Sequence, residues 1–311
     1  MNLCSKIGLG TVQWGMRYGI ANRSGRPEAA EVARMLLLAR ESGITLLDTA
    51  QVYGDAESII GQIGKDLHGW RIVTKTPLIQ DGNFGDREAS VLSDAIQESR
   101  RRLSCSKLYG LLVHHAENLL SLGGHRLWDV LQEFKSQALV SKIGVSVYEP
   151  DQLSRILDCY PIDIVQLPLN LYDQRFLRTD LLDRARRSGV EIHARSAFLQ
   201  GLLLLAPDQL PDQFSTIRAA HIRLYRECEI AGITPLEGCL RFCLNQSNID
   251  HVIVGCETRE QLEGVLGAAS ANGVCLQHPE SFALEDDAVI DPRRWPIATR
   301  TKNNLDDRTG I

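Results

Sequence analysis

Four side chains able to hold or move a proton stand where three short apolar runs end. Asp48 and Tyr53 lie in LLDTAQVYG (Leu46–Gly54), Lys75 closes WRIVTK, and His114 closes LLVH. A carboxylate at the end of a buried strand is costly to desolvate unless a cation meets it. If these runs are neighbouring parallel strands, Lys75 can meet Asp48. An ammonium close to a tyrosine hydroxyl favours phenolate and lowers that tyrosine from its ordinary ~10. A tyrosine tuned in this way gives a proton to a developing alkoxide or takes one from an alcohol. His114 would add a hydrogen bond that orients the substrate oxygen. The chemistry implied is protonation of a carbonyl, which needs a hydride donor that side chains do not supply. No nucleophile stands beside a base and no ligand set for a metal is visible. Schiff-base use of Lys75 would require it unpaired and lowered by desolvation.

The elements that must carry these residues read as eight strand-then-helix units at roughly 30-residue spacing. Strands are expected at Lys6–Trp14, Ile44–Asp48, Trp70–Lys75, Lys107–His114, Val140–Ser146, Ile162–Leu167, Gly189–Arg195 and Asp250–Val254. They are apolar runs rather than alternating ones, as in strands covered on both faces. A doubly wound sheet would more often stop earlier and carry a third glycine after Gly8-Leu9-Gly10. The expectation is therefore an α/β fold: one (β/α)8 barrel over residues 1–298, closed by a C-terminal strap, with a polar, disordered tail at 299–311. Chemistry in such a barrel collects at the C-terminal strand ends, where the quartet falls.

Composition narrows the class. The 311 residues carry a net charge of −5 and are 44% hydrophobic and 23% charged, with a pI near 5.9. That balance argues against nucleic acid or an anionic membrane surface as partner. No window approaches the ~18 apolar residues of a membrane span, and MNLCSKIGLG shows no basic-then-apolar signal, so a cytoplasmic location is expected. Eight scattered cysteines without a CxxC read as buried free thiols; Cys239 and Cys243, one helical turn apart, lack a second pair.

With these residues in view, the chain resembles an aldo-keto reductase over its length to about Ala271. The matching motifs are GLGTVQWG (Gly8–Gly15), DTA…YG (Asp48–Gly54), IVTKT (Ile72–Thr76), LLVH (Leu111–His114) and KIGVS (Lys142–Ser146). VQ…N (Val165–Asn170), SAFLQG (Ser196–Gly201) and IVGCETREQL (Ile253–Leu262) follow in order. The segment RSAFLQG is similar to that of a bacterial branch of the family.

The resemblance implies a nicotinamide dinucleotide bound in extended form. Tyr53 would be the general acid, Lys75 and Asp48 its tuning pair, and His114 the substrate-orienting residue, with His115 pointing the other way. The cofactor would meet Gly10, Thr11, Ser146, Gln166, Arg195, Ser196, Phe198, Gly201, Gly255, Thr258, Arg259 and Gln261. Val147 stands where the family commonly has Asn, Arg195 where it has a stacking aromatic, and Gly264-Val265 where it has Glu-Asn. Family preference points to NADPH, with Thr258 and Arg259 toward a 2′-phosphate and Glu257 against one; NADH stays open. Trp14, Tyr18, His114 and Tyr172 are the expected substrate residues, with Tyr148 and Phe198 at the mouth and Arg17 or Arg175 for an acidic group. The substrate would be a small carbonyl compound, carbohydrate-like or pyridoxal-like. The alternative is a nucleotide-binding barrel that senses redox state, with vestigial turnover.

Overall fold

A computed structural model describes residues 3–63, 69–79, 84–270 and 273–295. Eight parallel strands close on themselves in sequence order: β1 (Ile7–Gly10), β2 (Leu46–Asp48), β3 (Arg71–Lys75), β4 (Leu108–Val113), β5 (Val140–Ser146), β6 (Ile164–Pro168), β7 (Glu191–Arg195) and β8 (His251–Gly255). β8 pairs back to β1, Gly10 opposite Gly255. The expected (β/α)8 barrel is the observed fold.

Outer helices follow the sequence periodicity. In helix α1 (Ala29–Glu41), Val32, Met35, Leu36 and Ala39 share a buried face while Leu37 turns to solvent. Helix α2 (Pro150–Cys159) begins with proline at its first turn, and the Gln152 side chain accepts the Tyr148 and Glu149 N–H groups, fixing the loop after β5. Two elements differ from expectation. The first strand stops at Gly10 and gives way to a helical turn, Val12–Gly15, and a short helix, Ala116–Leu120, follows β4.

Alternation along the strands divides the barrel interior into layers. Leu46, Val73, Leu112, Ile164 and Ile253 pack as an apolar plug, separate from the larger core between barrel and helices. The plug fits because β1 and β4 leave it room: a Cβ on Gly8 would stand 2.8 Å from Ile253 Cδ1, and one on Gly110 2.9 Å from Ile164 Cδ1. Above the plug lie Asp48, Lys75, Ser146, Gln166 and Arg195. Below it lie Arg71, Lys142, Glu191, His193 and His251.

The C-terminal segment forms the expected strap through Pro279–Phe282, Asp287–Ile290 and Pro292–Arg294. It is anchored by buried Phe282, Ile290 and Trp295, the last stacked edge-on to Phe214 at 5.0 Å. The tail expected at 299–311 lies outside the described residues. None of the eight cysteines is in a disulfide; Cys159 and Cys275 are exposed rather than buried. Among the described residues no helix is long and apolar enough to cross a membrane.

Candidate active site

The register that sets Asp48 level with Val73 brings the last residues of β2 and β3 together at the barrel mouth. Lys75 Nζ donates to Asp48 Oδ1 at 2.9 Å, to Asp48 Oδ2 at 2.8 Å and to the Thr49 carbonyl at 3.0 Å. The Lys75 side chain is only 1% exposed, so the pair is dry. Gln166, from β6, also donates to Asp48 Oδ1, at 2.7 Å.

Tyr53 sits on the loop after β2, held against the turn Val12–Gly15 by close backbone contact. A Cβ on Gly15 would collide with the Tyr53 carbonyl oxygen, and Gly54, at φ +54, faces the Gly15 carbonyl from the other side. Both positions therefore require glycine. The ring lies with its centroid 5.0 Å from Lys75 Nζ and 6.2 Å from the His114 ring. Four of the sequence-predicted residues thus meet at one place.

The electrostatics differ from the sequence expectation. An ammonium has three N–H donors, and Asp48 and Thr49 take all three, leaving none for the Tyr53 hydroxyl. Burial, reinforced by the Asp48 carboxylate, holds the Tyr53 phenol well above its ordinary range. Burial lowers Lys75, with Asp48 opposing. Burial and then the Lys75 charge push His114 well below the usual histidine range, so it is a neutral imidazole.

The four open onto a cavity of about 790 Å³, a size suited to a small-molecule or cofactor site. Its wall includes Gly10, Thr11, Tyr18, Ser146, Gln166, Arg195, Ser196, Phe198, Gly201, Gly255 and Gln261, all expected at the site. Thr11 Oγ1, Gln13 Oε1 and His114 Nδ1 are buried without a hydrogen-bond partner, and all three residues line it. The segment after β7 is strained: Ser196, Leu199 and Gln200 take positive φ. It is tied down by Asn170, which donates to the Ser196 carbonyl at 3.1 Å, and by Gln200, whose carbonyl accepts the Ile20 N–H.

Four expectations are corrected. Trp14 is buried in the core, its indole donating to the Cys256 carbonyl, because the turn after β1 rotates it away from the cavity. Tyr172 is likewise fully buried, hydrogen-bonded to His221 at 2.9 Å. Thr258 and Arg259 lie outside the cavity wall: Thr258 Oγ1 caps the Gln261 N–H, and Arg259 pairs with Glu263 at 3.1 Å. Arg175 is held by Asp173 and Glu149. Gln200, Tyr225 and Glu260 line the cavity without having been anticipated. Arg293, from the strap, also came unforeseen. Its guanidinium lies 3.6 Å from the Tyr148 ring centroid and that of Arg195 lies 4.0 Å from it, so the two must cover opposite faces.

A second polar cluster sits below the plug, at the opposite end. Glu191, His193 and His251 place one potential ligand atom each within 4.8 Å of one another. Lys142 and Tyr109 also bind Glu191, and Arg71 contacts His251 Nε2 at 3.2 Å, so two of the three groups are already engaged by cations of the chain.

Comparison with known proteins accords with this geometry. The aldo/keto reductase family model matches residues 6–273. The chain is 27% identical over 207 residues (64% of its length) to the aldo-keto reductase YhdN of Bacillus subtilis, and 27% identical over 164 residues (49%) to a 6-dehydroglucose reductase of Novosphingobium aromaticivorans. It spans 60% and 52% of those curated relatives' own lengths. The holo structure of an aldo-keto reductase from Bacillus halodurans superimposes with a TM-score of 0.70 at 19% identity, covering 93% of this chain and 95% of that one. The chain belongs to the aldo/keto reductase family.

Proposed function

We propose that the protein is an NAD(P)H-dependent reductase of small aldehydes and ketones, sugar-like carbonyls among them. The observation that carries this reading is the dry Lys75–Asp48 pair beneath Tyr53 and His114, at the floor of a 790 Å³ cavity. The wall suits a nicotinamide dinucleotide: its buried, unpartnered polar atoms at Thr11, Gln13 and His114 await a ligand with dispersed polar groups. Ser146, Gln166, Ser196 and Gly255 would hold it, and when bound it supplies the hydride that the side chains lack.

The chain's own part is acid catalysis and orientation. Tyr53, kept protonated by burial and by Asp48, is a proton donor at neutral pH. As the carbonyl oxygen gains negative charge, the Tyr53 O–H gives up its proton to it. The phenolate left behind lies beside the Lys75 ammonium, which favours that charge in a site shielded from water. Lys75 therefore acts on the product state of the tyrosine, its position fixed by Asp48 and, through Asp48, by Gln166. Neutral His114 donates a hydrogen bond to the substrate oxygen and orients it. A Schiff base at Lys75 is disfavoured because all three of its donors are engaged. The wall's polar groups and the sugar-derived substrate in the name of the Novosphingobium relative support a carbohydrate-like carbonyl.

Tyr53→Phe tests the assignment. It should lower turnover with an aldehyde panel by roughly 10²–10⁴-fold while nucleotide binding stays within a few-fold of the parent. Turnover equal to the parent's would remove Tyr53 from the mechanism.

A further inference from the structure

One stretch of the cavity wall, following β8, is built from Cys256, Glu257, Glu260, Gln261, Gly264 and Val265. Its two charged wall residues are both glutamates. Glu257 is locked in place by Gln261: the amide donates to Glu257 Oε2 at 2.8 Å, while its oxygen accepts the Glu257 N–H, also at 2.8 Å. That leaves one Glu257 oxygen with no hydrogen-bond partner among the described residues.

Two of the helix-start N–H groups, and the two guanidiniums nearby, that would welcome a phosphate here are already engaged. Helix α3 (Arg259–Ser270) starts at this wall, but the Arg259 N–H donates to Glu31 Oε1, from helix α1, at 2.6 Å. The Gln261 N–H goes to Thr258 Oγ1. The Arg259 side chain is paired with Glu263, and Arg34 with Glu31. Four carboxylates (Glu31, Glu257, Glu260, Glu263) face two guanidiniums, and both guanidiniums have carboxylate partners. Glu31 stands where an anion would otherwise cap the helix.

We propose that this wall selects NADH over NADPH: Glu257 accepts a hydrogen bond from an adenosine ribose hydroxyl, and the surplus carboxylates repel a 2′-phosphate. The inference rests on the NAD(P)H reading above and replaces the NADPH preference expected from sequence. A carboxylate acceptor for the ribose 2′-hydroxyl is the established chemical solution for NAD in unrelated folds. A 2′-phosphate brings nearly two further negative charges, which like-charge juxtaposition penalises.

The test is a binding titration of the full chain, followed by tryptophan fluorescence or calorimetry, with NADH and NADPH side by side. NADH should bind at least about tenfold more tightly. Glu257→Gln should narrow that ratio mainly by tightening NADPH, Glu257→Arg should reverse it, and Glu31→Ala, which frees the Arg259 N–H at the helix start but does not itself line the cavity, should narrow it less. Retained NADH binding by Glu31→Ala and Glu257→Gln shows that the variants are folded. NADPH binding as tight as NADH to the parent chain, or a ratio unmoved by Glu257→Gln and Glu257→Arg, overturns the inference and leaves the reductase reading standing. Failure of both nucleotides to bind the folded chain overturns the reading itself.

Discussion

The barrel has a charged layer at each end, and the two are built to opposite designs. At the mouth, Asp48 and Lys75 form a dry pair, but the groups around them are unfinished. The Arg195 guanidinium contacts the Val147 carbonyl, Ser196 and the Tyr148 ring, with no carboxylate partner among the described residues. His114 Nδ1 is buried and unpartnered. At the base, Glu191 alone accepts from His193 at 2.7 Å, from Tyr109 at 2.7 Å and from Lys142. Arg71 and Lys142 both lie 5.1 Å from the Tyr109 ring centroid. Between the layers stands the plug of Leu46, Val73, Leu112, Ile164 and Ile253. A charged layer whose carboxylate is met on every side by cations and donors stabilises the barrel, even where, as at the base, His193 Nδ1 and His251 Nδ1 are buried without a hydrogen-bond partner away from the mouth cavity. One that leaves donors and acceptors facing a cavity is arranged for a ligand, in keeping with barrels whose chemistry sits at the C-terminal strand ends.

Removing one lysine from each layer tests that contrast most severely. Lys75→Met strands a carboxylate that is 6% exposed on its side chain, and breaking such a pair costs about 3–5 kcal/mol. Lys142→Met removes a side chain that is 34% exposed, and Glu191 keeps His193 and Tyr109. Its cost should be about 1 kcal/mol or less, with turnover retained. Denaturant midpoints measure both; equal losses would erase the distinction between the two ends.

Acid should strike the base next. Burial, then the charges of His193 and Arg71, push His251 down from 6.5 to about 4. Its folded value is depressed, so below about pH 6.5 the unfolded chain takes up a proton that the folded chain refuses. Stability falls as pH drops from 6.5 toward 4, by up to about 3 kcal/mol for this one group. Burial disfavours the Glu191 charge, but the donors from His193, Lys142 and Tyr109 outweigh it and hold the carboxyl well below its usual range. The loss therefore continues in the same direction below about pH 4.5. His251→Gln should flatten the upper part of this slope in pH-dependent chemical denaturation. An unchanged slope would locate the acid sensitivity elsewhere.

The mouth was legible in the sequence because its residues share one rule: a polar side chain ending an apolar strand. The rule marked Asp48, Lys75 and His114, and Tyr53 followed from the glycine-bounded loop. β5 and α2 were read to the residue, since Gly, Pro and a sharp change of periodicity bound them. The base was illegible because its residues come from strands far apart in the chain, and only the pairing of β7 with β8 sets His193 opposite His251. Trp14 and Tyr172 misled for a different reason. An aromatic near a strand end can turn into the core or out to the cavity, and backbone rotation after the strand decides which. Nor does sequence reveal that Tyr53 is so deeply buried, and so close to the Asp48 carboxylate, that its phenol is raised rather than lowered.

The plug supplies the smallest and most discriminating test. Ile164 is fully buried and belongs to this cluster. Ile164→Val deletes one methylene at a site that the β6 backbone keeps from collapsing, and should cost about 0.5–1.5 kcal/mol. If the two charged layers are independent, that loss should appear without change in turnover or in the acid slope. Its sum with the loss in Lys142→Met measures how far plug and base are coupled, because Ile164 pairs in register with Glu191 and Tyr109 packs on the plug and against Lys142. A fall in turnover well beyond the loss of folded protein would mean that the plug transmits strain to Asp48 and Lys75. Mouth and base would then be one coupled unit, and stability at the base could not be altered without retuning the site above it.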